Sequence, residues 1–272
     1  MKSQRVEFLK HSIIILILVV TFVPFYLMVN ISLKNNKQFA QNPWYPEAPY
    51  HWENYKVGWD HVGPNIFNTA FVAITSTVGS LVVATIGAFF FARFKMPGST
   101  FLFYVFIILM MYPGIANMVP IFKQICYLGL YNSHWALILL GISSAQAFTI
   151  YVLKNFIEEI PKDLFDAAEV DGCSIPKQIW YIVVPMCMPI IGTLAVLQAI
   201  SEWNNFVGPL ILLRDTHKQM LAVSLLHLEG EATKRWGELM SGYTIAAIPL
   251  IILFIFCMRL FIKGLSEGAI KG

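Results

Sequence analysis

Residues 61–92 read HVGPNIFNTAFVAITSTVGSLVVATIGAFFFA, 32 positions between Asp60 and Arg93 without one Asp, Glu, Lys or Arg. A helix rises about 1.5 Å per residue and crosses a hydrocarbon core about 30 Å thick in roughly 20 residues, so this stretch suffices for one crossing. Moving outward, the same test is met five more times. Segments 11–33, 96–122, 124–153, 178–201 and 239–258 hold 23, 27, 30, 24 and 20 residues with no charge. Only 13% of the 272 residues are charged, about half the usual share for a soluble domain. Lipid is therefore the solvent this chain is written for. A helix satisfies its own backbone in lipid, and the alternation expected of membrane barrel strands is absent. The expected fold is all-α, with six transmembrane helices near 13–33, 66–92, 100–121, 135–154, 184–205 and 242–262.

The first run, from Ile13 to Val29 behind Lys2, Arg5 and Lys10, is long for a signal peptide. It lacks an Ala-x-Ala cleavage site and is read as span one. Six crossings put both termini on one side. With cytoplasmic termini the inner segments carry 11 Lys and Arg against 8 outside, which agrees with the positive-inside rule. The outer segment 34–65 is rich in aromatics, including Trp44-Tyr45 and Tyr50-His51-Trp52. These residues suit an interfacial anchor better than a sugar-stacking site.

Several function classes fall away. A net charge of +3 without a basic stripe gives no nucleic-acid surface. Four scattered cysteines and six scattered histidines offer neither a disulfide framework nor a metal site. No span carries a cluster suited to acid–base chemistry, and no Gly-x-x-x-x-Gly-Lys-Ser/Thr loop is present to cradle ATP phosphates. The absence of internal repeats and of intramembrane charge for ion coupling argues against a self-contained secondary transporter or channel.

One connection differs from the rest. Residues 158–183 are mixed in polarity and read as two short helices joined by a turn. Pro161 suits a helix start, Leu164, Phe165 and Ala168 recur at helical spacing, and Asp171-Gly172 closes the first helix. Ser174 and Pro176 open the second, which runs through Gln178, Trp180 and Tyr181 into Pro185. Such an element is either an amphipathic connector at the lipid interface or a docking device that enters a partner's groove.

The order Asp166-Ala167-Ala168, three residues, Gly172, nine residues, Ile182-x-Val184-Pro185 resembles the cytoplasmic loop signature of binding-protein-dependent ABC importer permeases. Asp166 stands where glutamate is usual, and Val184 where leucine is usual. Glu202-Trp203-Asn204-Asn205-Phe206 and the tail Gly264-Leu265-Ser266-Glu267-Gly268-Ala269-Ile270-Lys271-Gly272 resemble the second, G-type permease of maltose-type sugar transporters.

The resemblance implies a type I importer permease fold in a bacterial cytoplasmic membrane, paired as a heterodimer with a second permease. Two separate ATPase subunits would carry ATP and Mg²⁺, and an extracytoplasmic binding protein would deliver a sugar or oligosaccharide. A polyol, glycerol phosphate or another small solute is the alternative cargo. It also implies that Leu164, Phe165, Asp166, Ala167, Ala168, Asp171, Gly172 and Ile175 couple to the ATPase, with Phe165 and Ile175 as apolar anchors. Gly268 and Lys271 of a flexible tail would reach the ATPases. Gln146 and Gln198 inside spans serve either helix-to-helix hydrogen bonds or the solute path. Glu202, Asn204 and Asn205 are gate or cavity candidates, and Pro113-Gly114, Pro120, Pro185 and Pro189 can kink spans three and five.

Overall fold

The computed structural model describes the backbone of residues 2–94, 96–111, 114–230 and 235–269, and their side chains except those of 2–6, 115, 116, 257 and 259–269. No strand occurs among the described residues. The long helices are α1 (Lys2–Ser32), α3 (Glu53–Arg93) and α14 (Trp236–Ala269). Between the first two lies α2 (Asn36–Gln41). Between α3 and α14 come α4 (Ser99–Met110), α5 (Met118–Tyr127), α6 (His134–Ser144), α7 (Gln146–Glu158) and α8 (Lys162–Val170). They are followed by α9 (Ile175–Gln178), α10 (Val184–Met186), α11 (Met188–Trp203), α12 (Val207–Leu212) and α13 (Leu221–Glu229).

Among the described residues, three single helices contain a stretch long and apolar enough to cross a membrane: Glu7–Ser32, Glu53–Arg93 and Trp236–Phe256. Counting bent pairs as one span each brings the number to five. The expected crossing at 100–121 is not one helix. Its first piece, α4, ends after 12 residues, and a 3₁₀ turn at Gly114–Asn117 precedes α5. Pro113 has no N–H for a helical ladder and Gly114 adds backbone freedom, so continuous helix is costly there. Pro120, by contrast, sits in the first turn of α5, where its missing donor is not needed.

The crossing at 135–154 is divided at Ala145, where α6 and α7 meet at 43°. Just before the bend, the Ser143 and Ser144 hydroxyls donate to the carbonyls of Leu140 and Gly141 at 3.0 and 3.3 Å. Back-bonding of this kind competes with the helical ladder and bends it. The crossing expected at 184–205 begins only at Met188. Residues Ile175–Met186 form one rod, and the chain then turns through 83° into α11. Pro185 cannot donate to Tyr181, and just before it the rod widens into a π-helical turn over Ile179–Val183, with the Val184 N–H bonded to the Ile179 carbonyl.

The chain divides into two units, one of residues 1–66 with 224–250 and the other of 67–223 with 251–272. In the first, polar side chains fasten the loop between α1 and α3. The Asn54 amide donates to the carbonyls of Ser32 and Lys34 at 2.8 and 3.0 Å. Lys34, expected as the charged flank of span one, is buried, and its ammonium donates to the carbonyls of Asn42 and Tyr45. Burial pushes its pKa down, opposed by Glu47. The Trp44 carbonyl accepts from the Tyr26 hydroxyl at 2.8 Å, which lays the aromatic turn against the end of α1.

Glycine lets helices touch here. A Cβ on Gly237 would overlap the Lys34 carbonyl and the Asn54 amide. Gly237→Ala is therefore expected to destabilise the purified chain by about 1–3 kcal/mol. Thermal unfolding in detergent measures this, and an unchanged Tm would refute the close approach.

In the second unit, one core joins Ala84, Ala88 and Phe89 of α3 to Ile150, Leu153 and Ile157 of α7, Phe165 of α8, Val183, Cys187 and Leu194. A second core packs Val72 with Leu137, Ile138, Leu212 and Met220. Asn132 secures the loops beside it. Its Oδ1 accepts from the backbone N–H groups of Arg214 and Asp215, and its Nδ2 donates to the Asp215 carboxylate. That last bond is the main reason the Asp215 pKa is held low.

Candidate functional site

The loop between α7 and α11 is a two-armed elbow. Pro161 occupies the position just outside α8, not the first turn as expected. At the other end Gly172 has φ +71°, a left-handed conformation that costs an L side chain roughly 1–2 kcal/mol. Its N–H bonds to the Glu169 carbonyl at 3.0 Å, and the Cys173 N–H to the Ala168 carbonyl at 2.8 Å. These two bonds form a complete Schellman motif, which satisfies the end of α8 and turns the chain sharply. The buried Gln178 amide reaches back to the Cys173 carbonyl at 3.3 Å and braces the second arm. Ser174 stands at the cap of that arm, but its side chain makes no capping bond.

The outer surface of the elbow is bare. Leu164, Asp166, Ala167, Val170, Asp171, Gly172 and Ile175 are exposed, and Ala168 is half-buried. Among the described residues, none beyond its two chain neighbours lies within 4 Å of where a Gly172 side chain would start. Asp166 lies 3.7 Å from Lys162, an exposed pair that contributes little. Val170, which sequence reasoning passed over, is 89% exposed at the corner.

Phe165 is a correction. It was expected to point toward a partner, but only 4% of it is exposed. Its ring packs against Phe89 with centroids 6.1 Å apart, and the Arg93 guanidinium lies 3.7 Å over its centre. Arg93 also donates from Nη2 to the Ile160 carbonyl at 2.7 Å. Phe165 and Arg93 thus clip the elbow to the end of α3. Sequence reasoning used Arg93 only as a topological charge. Its proximity to Phe165 spans 72 positions and leaves no local signal.

The polar residues inside the spans separate into two roles. Gln146 is absorbed by helix contacts: its Nε2 donates to the Ser80 carbonyl and hydroxyl, each at 3.2 Å, and to the Ile142 carbonyl at 2.6 Å. Glu202, expected near a gate, is 4% exposed and packs beside Gly141 and Ser76. Gln198 donates to its Oε1 and to the Gly141 carbonyl, both at 3.1 Å. Asn204 caps α11 and bonds back to the Ile200 carbonyl at 2.9 Å, while Asn205 follows it half-buried. Gln198 of this set lines a cavity. That space, about 390 Å³, opens where α6 breaks into α7 and is bordered on the α11 side by Leu194, Leu197 and Ser201. The tail expected to be flexible is helical as far as Ala269, which includes Gly268; Lys271 lies outside the described residues.

Residues 84–268 match the family model described as "Binding-protein-dependent transport system inner membrane component". The chain is 30% identical over 250 residues to the "Probable ABC transporter permease protein YurM" of Bacillus subtilis (strain 168), covering 92% of this chain and 83% of that one. It is 27% identical over 254 residues to the "Melibiose/raffinose/stachyose import permease protein MelC" of the same organism, covering 92% of each. Among solved structures, a chain of a bacterial ABC transporter involved in the import of the acidic polysaccharide alginate superposes with a TM-score of 0.83. That match has 20% identity and covers 95% of this chain and 98% of the other.

Proposed function

The chain belongs to the family of binding-protein-dependent transport system inner membrane components, and on that premise we propose that it is one of two permease subunits of an ATP-driven sugar importer. Relatives named for sugar import support the cargo class. The observation that carries the reading is the elbow: a preformed, outward-facing pair of helical arms clipped to the membrane helices behind it. A handle is useful only if something grips it, and small residues at its corner suit a helix seated in a groove.

In this proposal six crossings leave both termini in the cytoplasm of a bacterial cell, α4 and α5 together making the third. Leu164, Asp166, Ala167, Ala168, Asp171, Gly172 and Ile175 contact one of two ATPase subunits, which bind ATP and Mg²⁺. Phe165 holds the elbow from behind. A second permease completes the path, and an extracytoplasmic binding protein delivers the solute. The chain itself hydrolyses nothing. Motion of the elbow, passed through the Phe165–Arg93 clip to α3, alternates access from one side of the membrane to the other.

Reconstituted into vesicles with those partners, the chain is expected to support ATP-dependent uptake of an oligosaccharide. Uptake of glycerol phosphate or a polyol in place of any sugar would overturn the cargo assignment, and transport by the chain alone would overturn the importer itself. The same vesicles test the C-terminus. A chain ending at residue 263 lacks Gly268 and Lys271, and should insert normally but lose most of its sugar-stimulated ATP hydrolysis. Full stimulation would remove the tail from the ATPase contact.

A further inference from the structure

The cavity at the α6–α7 break has a lining that narrows what can enter it. Its volume of about 390 Å³ falls within the 300–1,000 Å³ typical of small-molecule sites. Phe148 offers a half-exposed ring, and Ser144, Thr149, Gln198 and Ser201 supply the polar groups. No Asp, Glu, Lys or Arg is among the lining residues.

The orientation of Gln198 is fixed from behind. Its Nε2 donates to the Gly141 carbonyl and to Glu202 Oε1, both acceptors, so the amide oxygen is the end left for the cavity. Glu202 is a positioning residue in this arrangement. Gly141 makes room for it, since a Cβ there would come within 2.8 Å of the Glu202 carboxylate. Ser201, one residue before Glu202, is exposed and has no hydrogen-bond partner among the described residues. The cavity thus presents an acceptor from Gln198, a hydroxyl from Ser201 and a flat apolar ring from Phe148.

We propose that the cavity between the α6–α7 break and α11 is a subsite for one neutral sugar unit, whose C–H face rests on Phe148 while its hydroxyls bond to Gln198 Oε1 and Ser201. The proposal rests on the sugar-importer reading and sharpens it. A uronate or a phosphorylated solute would meet no cation there and would leave its charge unpaired in a low-dielectric setting. A neutral pyranose, apolar on its face and polar at its rim, leaves nothing unpaired.

The test uses the assembled transporter with Cys126, Cys173, Cys187 and Cys257 replaced by serine and with Ser201→Cys introduced. A sulfonated methanethiosulfonate reagent is applied with and without millimolar neutral di- to tetrasaccharides or oligoalginate, and uptake of each sugar is measured on the cysteine-containing parent. Neutral sugars that the parent takes up should slow labelling at position 201 about fivefold or more. Oligoalginate should not slow it, and adding Phe148→Ala should abolish the protection while Phe148→Tyr keeps it. Uptake of a neutral sugar without any protection would overturn the subsite and leave the importer standing. Equal protection by oligoalginate would overturn its neutrality, and uptake of no sugar at all would remove the importer reading and the subsite together.

Discussion

Gly172→Leu is expected to cut recovery of the ATPase with the permease by roughly 30-fold or more, while insertion into the membrane and pairing with the second permease continue. Two costs combine. The left-handed backbone at position 172 charges a side chain roughly 1–2 kcal/mol, and escaping it opens the pair of hydrogen bonds that close α8. The larger cost falls on the contact. Among the described residues beyond its two chain neighbours a Cβ at this position meets nothing, so the leucine's main collision is with whatever covers the corner. Loss of a central anchor in an interface typically costs 2 kcal/mol or more, about 30-fold in affinity. Gly172→Asn separates the two costs, because asparagine tolerates the left-handed conformation. It should keep the fold of the elbow and retain more ATPase than leucine does. Normal recovery of the ATPase with Gly172→Leu would falsify the docking role of this corner.

Arg93→Ala is expected to uncouple the machine without dismantling it. The alanine loses a charge-assisted hydrogen bond to the Ile160 carbonyl and the cation over the Phe165 ring. Hydrogen bonds to charged groups contribute roughly 1.5–3 kcal/mol, enough to loosen the elbow against α3. Phe165 and its neighbours in the core remain. ATPase subunits should therefore still bind and hydrolyse ATP, but uptake per ATP should fall about tenfold, which corresponds to 1.4 kcal/mol. Arg93→Lys should restore little, because a point-like ammonium cannot both lie flat on a ring and donate sideways to the carbonyl. The readout is the ratio of vesicle uptake to phosphate release. A ratio unchanged in Arg93→Ala would show that force reaches the spans by another route.

The helical fold and the elbow were legible because both are local. Uncharged runs of 20 or more residues announce themselves, and the Asp171-Gly172 stop announces the end of α8 wherever it is placed. What stayed hidden depends on distant partners. Phe165 carries the same periodic signal whether it faces a partner or its own α3, and only packing against Phe89 and Arg93 decides between them. Lys34 reads as a solvated flank because burial against carbonyls eight and eleven residues away has no pattern in sequence. Glutamine inside a span is ambiguous for the same reason: Gln146 is spent on α3, whereas Gln198 keeps one end for a cavity. The break after α4 was foreshadowed by Pro113-Gly114, although sequence alone does not distinguish a kink from a full break. Ser144, Phe148 and Ser201 were overlooked. Adjacent serines at 143 and 144 within an apolar run were the available clue.

The elbow owes its shape to residues outside it. Its first arm is pinned by Phe165 to α3, its second by Val183 and Cys187 to the same core, and the 83° corner at Cys187 joins it to α11. A synthetic peptide copying residues 160–186 would be cut off from every one of those supports, and helices this short do not persist alone in water. Such a peptide would make a poor competitor, and an inhibitor of the contact would have to reproduce the spatial arrangement of Leu164, Val170 and Ile175 on a stiff scaffold.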